Sequence, residues 1–177
     1  MIKKTIWDLN RDSIEQYKKK NKLSIVVVLD NVRSLNNIGS IFRTSDAFLV
    51  EKIMLCGITA TPPSPEIHKT ALGAEDSVDW EYFSTTERCI TRLKSQNYKI
   101  CCLEQVKGSV ELQNYLPDSE SAYAIVLGNE VNGVQQAVVD EADVCLEIPQ
   151  HGTKHSLNVS VSGGIAIWHF YREMVKM

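Results

Sequence analysis

Short apolar runs alternate with amphipathic runs from residue 24 to the end of the chain, and this alternation restricts the possible folds most. Patterns typical of strands cover residues 24–29, 52–56, 80–83, 99–103, 122–127 and 144–148. Patterns typical of helices cover residues 37–48, 84–97, 135–141 and about 158–175, and a loop is predicted from 62 to 76. Strands that alternate with helices predict an α/β protein with a mostly parallel sheet and helices on both faces.

Two of these helices carry residues that suit their starts. Asn37 is predicted to cap helix 37–48, because its short polar side chain can accept a hydrogen bond from a free backbone N–H. Ser84 or Thr85 is predicted to cap helix 84–97 in the same way.

The length of the chain predicts one domain, and its charge is unevenly distributed along the sequence. The chain of 177 residues is predicted to form a single domain over 1–177, large enough to bury a core. Its formal net charge is −3, yet residues 1–22 hold seven basic and three acidic side chains, a net +4, which leaves −7 for the rest. This basic N-terminal extension, predicted to be helical, could attract a phosphate backbone. A solvated helix face is the simpler explanation.

Membrane and disulfide proteins are disfavoured. No apolar run reaches the length needed to span a membrane, the run 25–29 suits a strand, and residues 1–8 lack the apolar core of a signal peptide. We therefore expect a cytoplasmic protein that does not contact membranes. No Cys-x-x-Cys pair occurs among the five cysteines. Four of them are predicted to be buried, reduced thiols because they lie in strand-like runs: Cys56, Cys101, Cys102 and Cys145.

Several catalytic motifs are missing. No Gly-x-Gly-x-x-Gly follows Leu29, and the chain has neither a Gly-Lys-Ser/Thr phosphate loop nor a Gly-x-Ser-x-Gly elbow. The histidines lack the spacing of a metal site, so no metal is predicted. They are His68, His151, His155 and His169.

Residues 148–161 suit neither a strand nor a helix throughout. Pro149 and Gly152 interrupt regular structure, and Ser156, Asn158 and Ser160 then alternate with apolar residues. Such side chains bond to backbone groups and favour helix starts. A loop that leaves a strand and enters a helix near Asn158 offers free backbone N–H groups, which suits a polar ligand.

Three segments in this order, 36–48, 126–134 and 148–161, resemble the three motifs of the SpoU family of RNA ribose methyltransferases, in the SPOUT superfamily. The resemblance covers about residues 24–170. It implies a SPOUT-type α/β knot, a C-terminal trefoil knot in which about 122–177 form the cofactor-binding region. It also places the last helix at the interface of a homodimer. Leu49, where relatives commonly have Gly, departs from the first motif.

The same resemblance implies S-adenosylmethionine as cofactor and a set of site residues. The cofactor-binding residues would be Leu103, Leu127, Gly128, Asn129, Ile148, Ser156 and Leu157. The catalytic residues would be Arg43, Asn37, Glu130, Ser156 and Asn158, with Glu130 paired to Arg43. RNA contacts would come from Arg43, Lys69 and Lys154.

Arg43 is the main catalytic candidate implied by the resemblance. An arginine stays protonated in almost any protein setting, so it is a poor base. We expect it to bind phosphate and stabilise developing negative charge, while the proton leaves through phosphate or water.

The predicted function is methylation of a ribose 2′-hydroxyl in tRNA or rRNA, with tRNA favoured. Methylation of an RNA base nitrogen is an alternative, although that chemistry calls for an acidic base aimed at a purine edge. A catalytically inert RNA-binding module is a second alternative.

Overall fold

One parallel sheet organises the molecule. The computed structural model describes residues 1–9 and 11–175, and this part of the chain contains seven strands in the order β3-β2-β1-β6-β4-β7-β5. Every strand pair is parallel, as predicted. The strands are β1 Leu23–Asp30, β2 Val50–Cys56, β3 Asp79–Phe83, β4 Tyr98–Leu103, β5 Val110–Glu111, β6 Ala122–Leu127 and β7 Val144–Glu147.

Helices cover both faces of the sheet, which confirms the predicted α/β class. They are α1 Ile14–Lys19, α2 Leu35–Ala47, α3 Pro65–Ala71, α4 Ala74–Ser77, α5 Thr86–Ser95, α6 Gln136–Asp140 and α7 Val159–Val175, with single 3₁₀ turns at Ile6–Leu9 and Leu112–Asn114. None of the described helices combines the length and apolar character needed to cross a membrane.

Alternation along β1 produces two cores. Ile25 and Leu29 pack on the face that α2, α3 and α7 cover, whereas Val26 and Val28 pack on the face that α5 and α6 cover. Because successive side chains of a strand point to opposite faces, a strand with apolar residues at every position is buried on both sides. β1 therefore lies in the middle of the sheet.

Helix α2 begins earlier than predicted. Its cap is Ser34, whose hydroxyl accepts a hydrogen bond from the Asn37 amide at 3.3 Å, so the prediction that Asn37 caps the helix was wrong. Asn37 lies instead in the first turn, and its side chain is available for other contacts. The cap of α5 is Thr85, one of the two predicted candidates.

The predicted loop 62–76 was also wrong. It contains the two short helices α3 and α4. Helix α3 can start with Pro65 because proline is well tolerated in the first turn of a helix. The structure also adds the two-residue strand β5. Cys145 is only half-buried, because β7 is followed in the sheet by that short strand alone; Cys56, Cys101 and Cys102 are buried as predicted.

Leu49, the predicted departure from the first motif, adopts a φ of 54°, the left-handed conformation that glycine accepts most easily. The basic N-terminal segment is partly helical, as α1, and its Tyr17 joins the main core. The single-domain assignment and the trefoil knot stay predictions.

Helices α2 and α3 pack closely at Gly39. A Cβ on Gly39 would collide with the Ile67 carbonyl and the Thr70 side chain, so Gly39→Ala should lower the free energy of unfolding by about 1–3 kcal/mol. Gly164→Ala is the matched control in α7, since its Cβ would meet only Thr44, at 3.9 Å. That change should be neutral or stabilise by up to about 1 kcal/mol. Urea unfolding of both variants would measure this, and equal effects would contradict the assigned packing.

Candidate functional site

The loops that follow four neighbouring strands meet at one edge of the sheet. β1, β6, β4 and β7 are adjacent and parallel, so their carboxyl ends lie together. Crevices at this edge, where the strand order reverses, are the usual ligand sites of open α/β sheets. Here the loops enclose a cavity of about 360 Å³. The cavity is of a size that can bury a small organic molecule.

The cavity has an apolar wall. Its apolar wall consists of Leu103, Leu127, Leu146, Ile148 and Leu157. All seven residues predicted to bind the cofactor line it: Leu103, Leu127, Gly128, Asn129, Ile148, Ser156 and Leu157. The structure therefore brings together three strand ends and the loop after β7, although they are far apart in sequence.

The loop after β6 is tightly folded. Asn129 and Gly133 exchange two backbone hydrogen bonds, each 2.9 Å long. A Cβ on Gly128 would collide with the backbone of Gly133 and Val134, so only glycine fits there. The loop 128–133 thus has a defined shape before any ligand arrives.

Three neighbouring segments hold this loop in place. The Asn129 side-chain amide donates to the Asn31 carbonyl at 2.7 Å, and the Val134 amide donates to Glu104 Oε2 at 2.8 Å. The buried Asp30 carboxylate accepts from the Gln135 amide at 2.8 Å. Asp30 and Glu104 were not predicted as site residues. Their signal was available, because each carboxylate directly follows a predicted strand on the ligand side of the sheet.

The Glu130 carboxylate connects this loop to the start of α2. It accepts hydrogen bonds from the Arg33 and Ser34 amides at 3.0 Å and from the Asn37 side chain at 3.1 Å. Burial alone would raise the pKa of Glu130, but these hydrogen bonds outweigh it and the pKa is lowered. The group is therefore ionised at neutral pH, beside a helix N-terminus that favours negative charge.

Asn37 also connects α2 to the third segment. Its side-chain oxygen accepts a hydrogen bond from Asn158 Nδ2 at 3.1 Å. Asn158 Oδ1 accepts in turn from the Ser160 amide at 2.9 Å and caps α7. The three segments singled out in the sequence thus meet in one hydrogen-bonded network, Glu130–Asn37–Asn158.

Arg43 lies apart from this network. It is exposed, does not line the cavity, and its guanidinium bonds to none of the residues that the structure describes. Arg43 lies six positions after Asn37 on α2, which corresponds to a rise of about 9 Å along the helix and a rotation of about 120° around it. The prediction that Glu130 pairs with Arg43 is therefore wrong within one chain, and Asn37 takes that place.

The remaining predicted residues are placed as follows. Ser156 lines the cavity beside His155, whose carbonyl accepts from the Gln105 side chain at 3.0 Å. Lys154 is exposed in the same loop. Lys69 lies on α3, outside the cavity lining, and pairs with Glu66 at 2.6 Å.

The cavity favours a positively charged ligand. Glu104, Glu130 and Glu147 line it, and no lysine or arginine does so among the described residues. Partly desolvated carboxylates attract a cation more strongly than exposed ones. In residues 1–9 and 11–175, no group of three or more His, Cys, Asp or Glu side chains is placed to hold a metal ion.

Comparison with known proteins agrees with this architecture. A protein of Staphylococcus aureus strain MSSA476 assigned to the TrmH family of tRNA/rRNA methyltransferases is 28% identical over 160 residues, which are 90% of this chain and 63% of that protein. The chain thus spans less than two thirds of that relative.

Two solved structures have a similar fold. The A. aeolicus TrmH/SpoU tRNA modifying enzyme superposes with a TM-score of 0.81 at 26% identity, over 92% of this chain and 81% of that one. The AdoMet-bound rRNA methyltransferase from Sinorhizobium meliloti gives a TM-score of 0.78 at 26% identity, over 88% and 59%. Residues 24–168 match the SpoU rRNA Methylase family, and the chain belongs to that family.

Proposed function

We propose that this chain transfers a methyl group from S-adenosylmethionine to a ribose 2′-hydroxyl of RNA, with tRNA favoured over rRNA. The observation that carries the proposal is the Glu130–Asn37–Asn158 network at a cavity lined with carboxylates. The names of the relatives, tRNA/rRNA methyltransferases and a tRNA modifying enzyme, support RNA as substrate. The proposed unit of function is one domain, 1–177, with a cofactor-binding region at about 122–177 and an extension at 1–22.

The cavity fits the proposed cofactor. Leu103, Leu127 and Ile148 would pack on the adenine, and the backbone groups at their strand ends would read its polar edge. Glu104 and Glu147 would favour the positive charge of the sulfonium. When bound, S-adenosylmethionine supplies a methyl group that leaves its sulfur as the new bond to oxygen forms.

Glu130 acts in this proposal as a positioning residue and not as the base. Three donors already occupy its carboxylate, and its lowered pKa makes proton uptake unfavourable. This favours ribose over base methylation, because a base nitrogen calls for a free acidic group. The ribose proton would leave to water or to an RNA phosphate, with Ser156 and Asn158 beside the reacting groups.

A homodimer would complete the site. Val161, Ile165 and Trp168 follow a spacing of four and three residues along α7, and their side chains are 51%, 39% and 43% exposed. Trp168 also contacts Phe48, with 5.3 Å between the ring centroids. An apolar helix face of this kind suits an isologous contact with a second copy. That contact would bring the Arg43 guanidinium of one copy to the cavity of the other, where it would bind RNA phosphate alongside Lys69 and Lys154.

The position of the methyl group tests the reaction. The protein is incubated with unmodified tRNA and rRNA and with S-adenosylmethionine carrying a labelled methyl group, and the RNA is digested to nucleosides for mass analysis. We expect the label on the ribose. Label on a base would overturn the ribose assignment, and no label with normal cofactor binding would favour the inert module.

Complementation tests the shared site. Arg43→Ala should abolish methylation without weakening cofactor binding, and Gly128→Ala should abolish cofactor binding, because its Cβ would displace the loop. Co-expression of both variants should restore activity to about a quarter of the wild type, since random pairing makes half the dimers mixed and each mixed dimer has one intact site. Each variant expressed alone is the control. No restoration in mixed dimers would show that each chain contains its whole site.

A further inference from the structure

The basic side chains divide into two groups. Among the described residues, eight form ion pairs: Lys18, Lys20, Lys52, Lys69, Arg92, Lys94, Lys99 and Arg172. Beyond residues 1–22, the side chains of four others bond to no described residue: Arg33, Arg43, Lys107 and Lys154. Arg43 belongs to the proposed contact between two copies. Of the other three cations, Lys154 has only the role implied by resemblance, and Arg33 and Lys107 have none.

These three cations lie at the same edge of the sheet. Arg33 follows β1, Lys107 follows β4 and Lys154 follows β7. The three strands are parallel and lie in the order β1-β6-β4-β7, so their carboxyl ends border the cavity. From β1 to β7 the distance is about 14 Å, since neighbouring strands are about 4.8 Å apart. Arg33 thus lies on one side of the cavity, and Lys107 and Lys154 lie on the other.

Hydrogen bonds fix the backbone that carries these cations. The Arg33 amide donates to Glu130 Oε2 at 3.0 Å, which places this residue directly beside the cavity lining. On the opposite side, the Gln105 side chain donates to the His155 carbonyl at 3.0 Å and joins the loop of Lys107 to that of Lys154. The side chains themselves are exposed.

The charges therefore form two zones at this edge. Carboxylates of Glu104, Glu130 and Glu147 line the cavity, and the three unpaired cations lie outside its lining, in the segments that follow β1, β4 and β7. Apart from residues 1–22 the chain carries a net charge of −7, which would repel a polyanion elsewhere on the surface. Outside residues 1–22, the unpaired cations make this edge the favourable place for a phosphate backbone to approach.

We infer that Arg33, Lys107 and Lys154 form a cationic rim that binds RNA phosphates on both sides of the cavity and so holds the target ribose over it. The inference rests on the proposed function and deepens it, because it assigns Arg33 and Lys107 to substrate binding. The rim positions the strand without reading its sequence, since phosphate contacts carry no base information.

Removal of two rim charges tests the inference. The double variant Arg33→Ala/Lys107→Ala is compared with Lys94→Ala/Lys99→Ala, which removes the same charge from exposed ion pairs near the start of β4, at the opposite edge. Binding of labelled, unfractionated tRNA is measured by fluorescence anisotropy between about 50 and 300 mM salt, because the affinity of phosphate contacts falls strongly as the salt concentration rises. Thermal unfolding and S-adenosylmethionine binding are measured on the same samples.

The rim variant should bind tRNA at least about tenfold more weakly than the control, and its log–log salt slope should be smaller by about 1.4–1.8. Both variants should unfold and bind S-adenosylmethionine like the wild type. Equal tRNA affinity and equal salt slopes for the two variants would overturn the rim. If the rim variant binds tRNA more weakly than the control but the label is found on a base, only the ribose assignment is overturned. If the label is found on the ribose but the two variants bind tRNA equally, only the rim is overturned.

Discussion

The Glu130 carboxylate accepts three hydrogen bonds from residues that lie 93 to 97 positions earlier in the chain. Asn37 extends this contact to Asn158, 121 positions further on. Two constraints make the network possible. Gly128 lets the loop after β6 fold tightly, and the Ser34 cap of α2 leaves the Asn37 side chain free. Without these two features, the loop after β6 would lose its connection through Asn37 to Asn158.

Charge is separated over a short distance at this edge of the sheet. In the proposed reaction, a sulfonium cofactor and an RNA phosphate carry opposite charges, and one surface would have to accept both. The carboxylates of Glu104 and Glu130 are each held by backbone N–H groups, so they need no lysine or arginine as partner. The cations outside the cavity therefore remain available to a phosphate backbone.

The alternation of apolar runs was sufficient to predict the parallel sheet, because strands β1 and β6 are apolar at nearly every position. It could not predict α3, since a proline-rich start indicates a turn and a helix equally well. The cavity lining was predicted through resemblance, as were Asn37, Glu130 and Asn158, but their partners were not. Within one chain, Glu130 meets Asn37 and not Arg43, because Asn37 lies in the first turn of α2 and Arg43 lies six positions further along the helix. Asp30 and Glu104 were missed although each directly follows a predicted strand, because that position alone does not show what the carboxylate binds.

A double-mutant cycle between Asn37 and Glu130 would measure whether the two side chains act as one unit. The affinity for S-adenosylmethionine would be measured by calorimetry for Asn37→Ala, Glu130→Ala and the double variant, with thermal unfolding as a check on the fold. If the two side chains form one unit, each single change should weaken binding, and the double change should be little worse than either, with a coupling energy of at least about 1 kcal/mol. Strictly additive losses would show that the two residues act independently and that the network does not hold the site together.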